Sequence, residues 1–210
     1  MESEKIKVKG YAKYDQDISP DTFTSLGQSI LKSIRTNDFN NSGTCMVKGS
    51  CVTKVLTNLG SATIRKLEAD QIHSSGSLQV AESVKANTFQ AKGHVTIKEE
   101  LEAQFIHLTM TTASHVCKMS GAKEIIIRSH PVSFVNFFGL GGKRLKSRRI
   151  EGEVICLEYT VADVVIGESV TVGKGCELKE VHYTKTLDIH PDSKVGSTIK
   201  RGEKESENCL

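Results

Sequence analysis

Apolar residues recur along this chain in pairs two positions apart, and the pairs recur at a longer fixed step. Between Gly43 and Thr109 the sequence falls into four lines, each opening on a glycine: Gly43, Gly60, Gly76 and Gly93. Two and four residues after these glycines stand Cys45 and Val47, Ala62 and Ile64, Leu78 and Val80, and Val95 and Ile97. Later in the lines come Cys51, Leu67, Val84 and Leu101, followed by the small residues Thr53, Ala69, Ala86 and Ala103. Leu56, Ile72, Phe89 and Ile106 close the pattern. The line from Gly60 is one residue short between its second and third columns, and then re-registers. A short fixed period of this kind marks a stacked repeat.

The pairing two apart identifies the unit as strand, because residues i and i+2 share one face of a strand whereas a helix needs i+3 and i+4. Two pairs and a lone apolar residue per line imply about three bends per coil. The predicted fold is all-β: a three-sided parallel β-helix, a solenoid whose coils stack about 4.8 Å apart with like over like. Its core columns are Val47, Ile64, Val80 and Ile97; Leu67, Val84 and Leu101; and Ile72, Phe89 and Ile106. The small column belongs where the coil is too tight for a large side chain. A single coil cannot bury its apolar face, so coils are stable only as a stack.

Extended outward, the same pattern divides the chain. Residues 1–25 carry no repeat and are expected as an N-terminal arm, with an edge strand or flexible segment around Ile6 and Val8. The first block, 26–128, opens near Leu26 with Gln28, Ile30, Ile34, Thr36 and Phe39 in the columns. It closes with Ser114, Val116, Ser120, Ala122 and Ile125. From 129 to 152 no column survives, and this stretch is expected to be a non-repeating insertion. It carries Phe134, Phe137 and Phe138, followed by Lys143, Arg144, Lys146, Arg148 and Arg149. The second block, 153–199, holds Ile155, Leu157, Thr160, Ala162 and Val165, then Val170, Val172, Cys176, Leu178 and Val181. Leu187, Ile189, Ser193, Val195 and Thr198 form its last coil. The count is roughly nine coils, and the charged tail 200–210 is expected to be disordered.

Composition changes this picture little. The 210 residues are 25% charged and 38% hydrophobic, with a net charge of +3, too small to imply a polyanion partner. Aromatics at 5% and no Trp argue against stacking on nucleic acid. The first residues, Met1-Glu2-Ser3-Glu4-Lys5, lead into no apolar signal core, so a cytoplasmic protein with reduced thiols is expected. Of the six cysteines, Cys45, Cys51 and Cys176 fall on inward columns, and no C-x-x-C or Cys/His ligand spacing occurs.

A search for chemistry finds none, and no catalytic, cofactor or metal residue is predicted. Gly139-Leu140-Gly141-Gly142-Lys143 lacks the first glycine of a phosphate loop and is followed by Arg144 rather than Ser or Thr. The seven histidines all fall off the inward columns, and Glu99, Glu100 and Glu102 read as a solvated face. One alternative is an enzyme. Val165-Ile166-Gly167-Glu168-Ser169-Val170-Thr171-Val172-Gly173-Lys174-Gly175 resembles the hexapeptide repeat of left-handed β-helix acyltransferases, which would imply acyl transfer from an acyl-CoA with a His general base. That signal lasts about two hexads and does not explain the paired columns before it.

The glycine-led lines with their Val and Ile pairs resemble bactofilins, the polymer-forming bacterial cytoskeletal proteins. Ile150 to Tyr183 looks like the second half of a longer, two-block member. The resemblance implies a right-handed β-helix and filaments of the chain itself formed without nucleotide. It also implies a scaffolding role in cell shape or motility. An open β-helix end exposes unpaired backbone groups and core, so assembly is expected through the ends, with Phe39, Leu187 and Ile189 as candidate contacts. Phe134, Phe137 and Phe138 beside Lys143 and Arg144 suggest a loop that holds an anionic membrane surface or another scaffold protein, at the inner face of the cell membrane.

Overall fold

A computed structural model of the chain describes residues 4–129 and 143–202, and every named element in it is a β-strand. In chain order these are β1 (Lys5–Val8), β2 (Tyr11–Tyr14), β3 (Thr22–Ser25), β4 (Gln28–Leu31), β5 (Ile34–Asn41), β6 (Thr44–Asn58), β7 (Ser61–Ser74), β8 (Ser77–Val80), β9 (Val84–Met110), β10 (Ser114–Ser129), β11 (Leu145–Leu157), β12 (Thr160–Val172), β13 (Glu177–Ile189) and β14 (Lys194–Lys200). All pairings between them are parallel, and the path runs from β1 to β14 as a β-solenoid of about 11 turns. Strands such as β6 continue around the corners, because pairing to the next coil resumes directly after each bulge.

Each predicted core residue is inside. Val47, Ile64, Val80 and Ile97 are buried, as are Leu67, Val84 and Leu101, and Ile72, Phe89 and Ile106. Val47 pairs with Ile64, Ile64 with Val80, and Val80 with Ile97, so these four form one column. The short second line appears as a register shift between Val47 and Ser50, where Lys48 and Gly49 bulge out of the first.

The paired columns number six, not five. The sixth starts at Val8 and runs through Ser25, Asn41, Asn58, Ser74 and Ala91. Asn58 and Asn41 are buried at 0% and 1% exposure. The Asn41 amide donates to Asn58 Oδ1 at 2.8 Å, and Asn58 Nδ2 donates to Ser74 Oγ at 3.0 Å and to the Ser77 carbonyl at 3.0 Å. Buried amides must be hydrogen-bonded to be tolerated, and stacking like over like supplies the partner from the next coil. Asn41 Oδ1 accepts nothing, and Ser25, next down the column, turns its hydroxyl to Ser29.

The glycine corner explains the period. A Cβ on Gly27, Gly43, Gly60, Gly76 or Gly93 would collide with the carbonyl oxygen of the preceding glycine in the series that begins at Gly10. Those carbonyls accept the corner hydrogen bonds: Gly10 from Gln28 N, Gly27 from Thr44 N, Gly43 from Ser61 N and Gly60 from Ser77 N, all at 2.8–2.9 Å. The coils approach too closely there for any side chain. Past Gly93 the next corner lacks a glycine, and His115 pairs with Thr96, a 19-residue coil. Farther on, the corner is turned by Tyr159 at φ 47° and Gly175 at φ 70°.

Four boundaries differ from the sequence reading. Residues 5–25, expected as an arm, form the first coil: β1 pairs with β3, β2 with β4, and Ile18 with Ile34. The next coil opens at Gly27, not Leu26, which shifts its inward pair to Ser29 and Leu31 and leaves Gln28 and Leu26 exposed. In β10 the inward residues are Met119 and Gly121 rather than Ser120 and Ala122, because Cys117 alone stands opposite Lys98 and Glu99, so the coil is one residue shorter there. The insertion is shorter than 129–152, since Leu145, Ser147 and Ile150 are buried and β11 pairs with both β10 and β12. These additions raise nine coils to about 11, roughly 50 Å of rod at 4.8 Å per coil.

Replacing Ile64 by Asp places an unpaired carboxylate in the core, which costs several kcal/mol, and should abolish the cooperative thermal transition. Thr63→Asp, one residue outward, should retain it. Asn58→Ala strips partners from Asn41 and Ser74 and should cost about 1–3 kcal/mol, lowering Tm by several degrees in calorimetry with the fold intact by circular dichroism.

Candidate functional site

The solenoid leaves its two ends open among the described residues. At the N-terminal end β1 pairs only with β3 and β2 only with β4, so the far edge of both strands meets no described strand. At the C-terminal end β14 pairs only with β13. Burial shows the effect. Phe23 and Phe39 are fully buried in a column whose first member, Ile6, is only half-buried. Leu187 at the far end of that column is also half-buried, and Ile189 is 37% exposed. Ala12, Tyr14 and Ile18 at one end and Val195 at the other are likewise only partly covered.

Charge decorates both rims. Lys5, Lys7 and Lys9 point outward along β1. Lys13 Nζ donates to Asp15 at 2.9 Å, which raises the lysine pKa and lowers that of the exposed carboxyl. At the other end Asp188 is exposed between Leu187 and Ile189, and Arg201 reaches His182 Nδ1 at 2.6 Å.

The three candidate assembly residues separate. Leu187 and Ile189 lie at the open C-terminal end, as expected. Phe39 does not lie at an end: it is fully buried and covered by the Phe23 ring at a centroid distance of 5.3 Å, because the arm forms a further coil over it. Phe134, Phe137 and Phe138 lie outside the described residues. Lys143 and Arg144 precede β11, and Arg144 donates to Glu177 Oε1 at 2.7 Å. The rest of the basic run is strand: Arg149 pairs with Glu151 at 2.8 Å, and Arg148 donates to Cys117 Sγ at 3.0 and 2.8 Å. The run alternates with inward Leu145, Ser147 and Ile150, so it decorates the side of the rod.

Elsewhere the surface offers grooves rather than an assembled reactive site. A shallow groove of about 850 Å³ follows the small column at Thr36, Thr53, Ala69 and Ala86, rimmed by Arg35, Lys54, Asp70 and Asn87. A second, of about 720 Å³, has Gly121, Gly152 and Gly167 as its floor, the same column farther along. Among the described residues no three His, Cys, Asp or Glu side chains converge to hold a metal ion, and no helix is long and apolar enough to cross a membrane. None of the histidines in the described residues is buried. His107 pairs with Glu124 at 2.7 Å, and His182 with Glu180 at 3.1 Å. The inward thiols are unactivated: burial pushes Cys45 up to about 12 and raises Cys51 and Cys176 as well.

Compared with known proteins, the chain matches no family model, and no curated protein or solved structure shows significant similarity to it.

The sequence reading missed the extra N-terminal coil and the Asn ladder. Both left a signal: Gly10 and Gly27 continue the glycine series at steps of 17 and 16, and Asn41 and Asn58 stand two residues after Phe39 and Leu56.

The raised thiol pKa values set a pH dependence. The unfolded chain loses thiol protons near pH 8.5 while the folded chain retains them, so it binds fewer protons than the native state above that pH. Stability should therefore fall as pH rises above about 8.5. Denaturant melts at pH 7.5 and 9.5 should show the loss, and Cys45→Ala combined with Cys51→Ala should flatten it. In the folded protein at pH 8, Cys45, Cys51 and Cys176 should resist alkylation, read by mass spectrometry.

Proposed function

We propose that this chain is a self-assembling structural protein of the bactofilin type, whose coils join end to end into filaments without nucleotide and scaffold cell shape or motility from the cytoplasmic side of the membrane. The observation that carries this reading is the pair of open ends. Among the described residues each presents a strand edge with no partner, over an apolar core that is 0–2% exposed one or two coils deeper, at Phe23 and Val181 for example. Such an edge is a template for another chain, and a contact between unlike or like ends that does not close produces an open filament.

The sides of the rod support the same reading by contrast. They carry exposed ion pairs such as Arg65–Glu82 at 2.6 Å, Lys85–Glu102 at 3.0 Å and Lys179–Asp163 at 2.7 Å, which keep neighbouring rods apart and soluble. The acyltransferase alternative is less well supported. Val165, Gly167, Val170 and Val172 all face inward in the paired pattern of the preceding coils, and adjacent coils differ by 15 to 17 residues instead of keeping a hexad multiple.

Negative-stain microscopy of the purified protein without nucleotide should show filaments about one solenoid wide. Ile189→Lys removes apolar burial worth about 1.5–3 kcal/mol per junction and adds a charge, so it should shift material from pellet to supernatant on sedimentation. Lys98→Glu, outward in mid-rod, should pellet as the natural chain does. Monomers for the unaltered chain at high concentration and low salt would refute the proposal.

A further inference from the structure

His182 is an outward residue of β13, in register with Ile166 on β12 and Ile199 on β14. Two branched apolar residues stand on either side of it, and 12% of its side-chain surface is exposed. Both ring nitrogens are engaged. Nε2 lies 3.1 Å from Glu180 Oε2, and Arg201 Nη2 lies 2.6 Å from Nδ1. Arg201 follows the last residue of β14, and its backbone N–H donates to the Tyr183 carbonyl at 2.8 Å.

A guanidinium carries only donors and keeps its charge at any ordinary pH. Nδ1 is therefore the acceptor of the Arg201 bond. The ring is then neutral, with its proton on Nε2, where Glu180 accepts it. A second proton can go only to Nδ1, where it meets an N–H donor and a fixed positive charge. The ring holds either Arg201 or a second proton, not both. His107 and His94 differ in this respect. Their ring nitrogens face groups that can accept: Glu124 for His107, and the Ala113 carbonyl and Thr96 hydroxyl for His94.

We propose that His182 and Arg201 form a proton-released latch on the final strand. At neutral pH the ring holds Arg201 against β13. On acidification the ring takes up a proton, keeps Glu180 as its ion-pair partner and sheds Arg201, which frees the end of β14. The latched form binds one proton fewer than the released form, so falling pH favours release. Histidine changes charge between about pH 5 and 8, and the latch works in that range.

The other charges nearby are already matched. The groove that His182 lines also carries Glu151 and Glu153 from β11, Glu168 from β12 and Lys185 from β13. Glu168 pairs with Lys185 at 2.6 Å, Glu151 with Arg149 at 2.8 Å and Glu153 with Lys123 at 3.6 Å. Lys200 on β14 is in register with Tyr183. The strand itself is easily loosened, because Val195 is half-buried and its other six residues are exposed. An element with so little apolar contact opens at low cost. It pairs with Leu178 and Val181, both buried, so a loosened β14 admits water to the core of that coil. The latch does not rest on the filament reading.

Hydrogen exchange of the full chain tests it at pH 7.5 and 5.0. Mass spectrometry follows peptides covering residues 194–202, corrected for the intrinsic pH dependence of exchange. Protection of this strand should fall about tenfold at the lower pH, while that of β12 holds. His182→Gln offers a carbonyl to Arg201 and an amide to Glu180 but takes no proton, so its protection should stay high at both pH values. Arg201→Ala should be poorly protected at both. His190, in the turn before β14, accepts the Asp192 backbone N–H at 3.1 Å, so His190→Gln is the control and should retain the fall. Circular dichroism at each pH checks that the rod is intact. An equal fall in His182→Gln overturns the proposal, as does equal protection of the unaltered chain at both pH values. A fall lost in His190→Gln instead moves the switch to the Asp192 turn and also overturns it.

Discussion

The parallel backbone ladder between successive coils is the interaction on which the rest of this structure depends. It runs through every coil without a change of direction, and it places each residue directly over its counterpart about 4.8 Å away. Everything else follows from that repetition. A side chain that packs well against a copy of itself is favoured at each level, so Val47, Ile64, Val80 and Ile97 form a dry column. A side chain that hydrogen-bonds to a copy of itself is equally acceptable, which is how two asparagines survive at 0–1% exposure.

The same repetition imposes the strictest sequence requirement at the corner. Coils cross there with carbonyl oxygens where a Cβ would stand, and glycine persists from Gly27 to Gly76 for lack of room rather than for backbone freedom. Gly93, next in that series, has positive φ, at 146°. Where the glycine is missing, beyond Gly93, the coil lengthens to go around the obstruction. The bulges at Lys48 and Gly49, opposite Arg65 alone, and at Lys98 and Glu99, opposite Cys117 alone, show how changes in coil length are absorbed while the inward columns hold their places.

A ladder has no internal reason to stop. Its ends carry the same backbone groups and the same columns as its middle, and the functional reading grows from that fact rather than from any cluster of reactive groups. The thiols inside are held protonated by burial, and the charged residues outside pair along the rod axis, as Lys185 with Glu168 at 2.6 Å and Arg65 with Glu82 do. On the proposed reading, such a surface disfavours lateral contact and leaves the axis for association.

The sequence by itself determined the strand period, the three-sided coil and the inward identity of ten core residues from Val47 to Ile106, because apolar alternation and glycine spacing report burial directly. It did not reveal the sixth column, since Asn41, Asn58 and Ser74 look like turn residues until a second coil supplies their hydrogen bonds. Nor did it place the ends. Residues 5–25 are too polar to announce a coil, and they become one only because β3 and β4 offer edges to pair with. Phe39 looked terminal for that reason and is interior. Leu145 and Ile150 were hidden in a basic run whose cations all face outward. Backbone pairing is blind to side-chain polarity, so the tertiary structure decided where the ladder begins, where it resumes after the interruption, and which residues stand at its open ends.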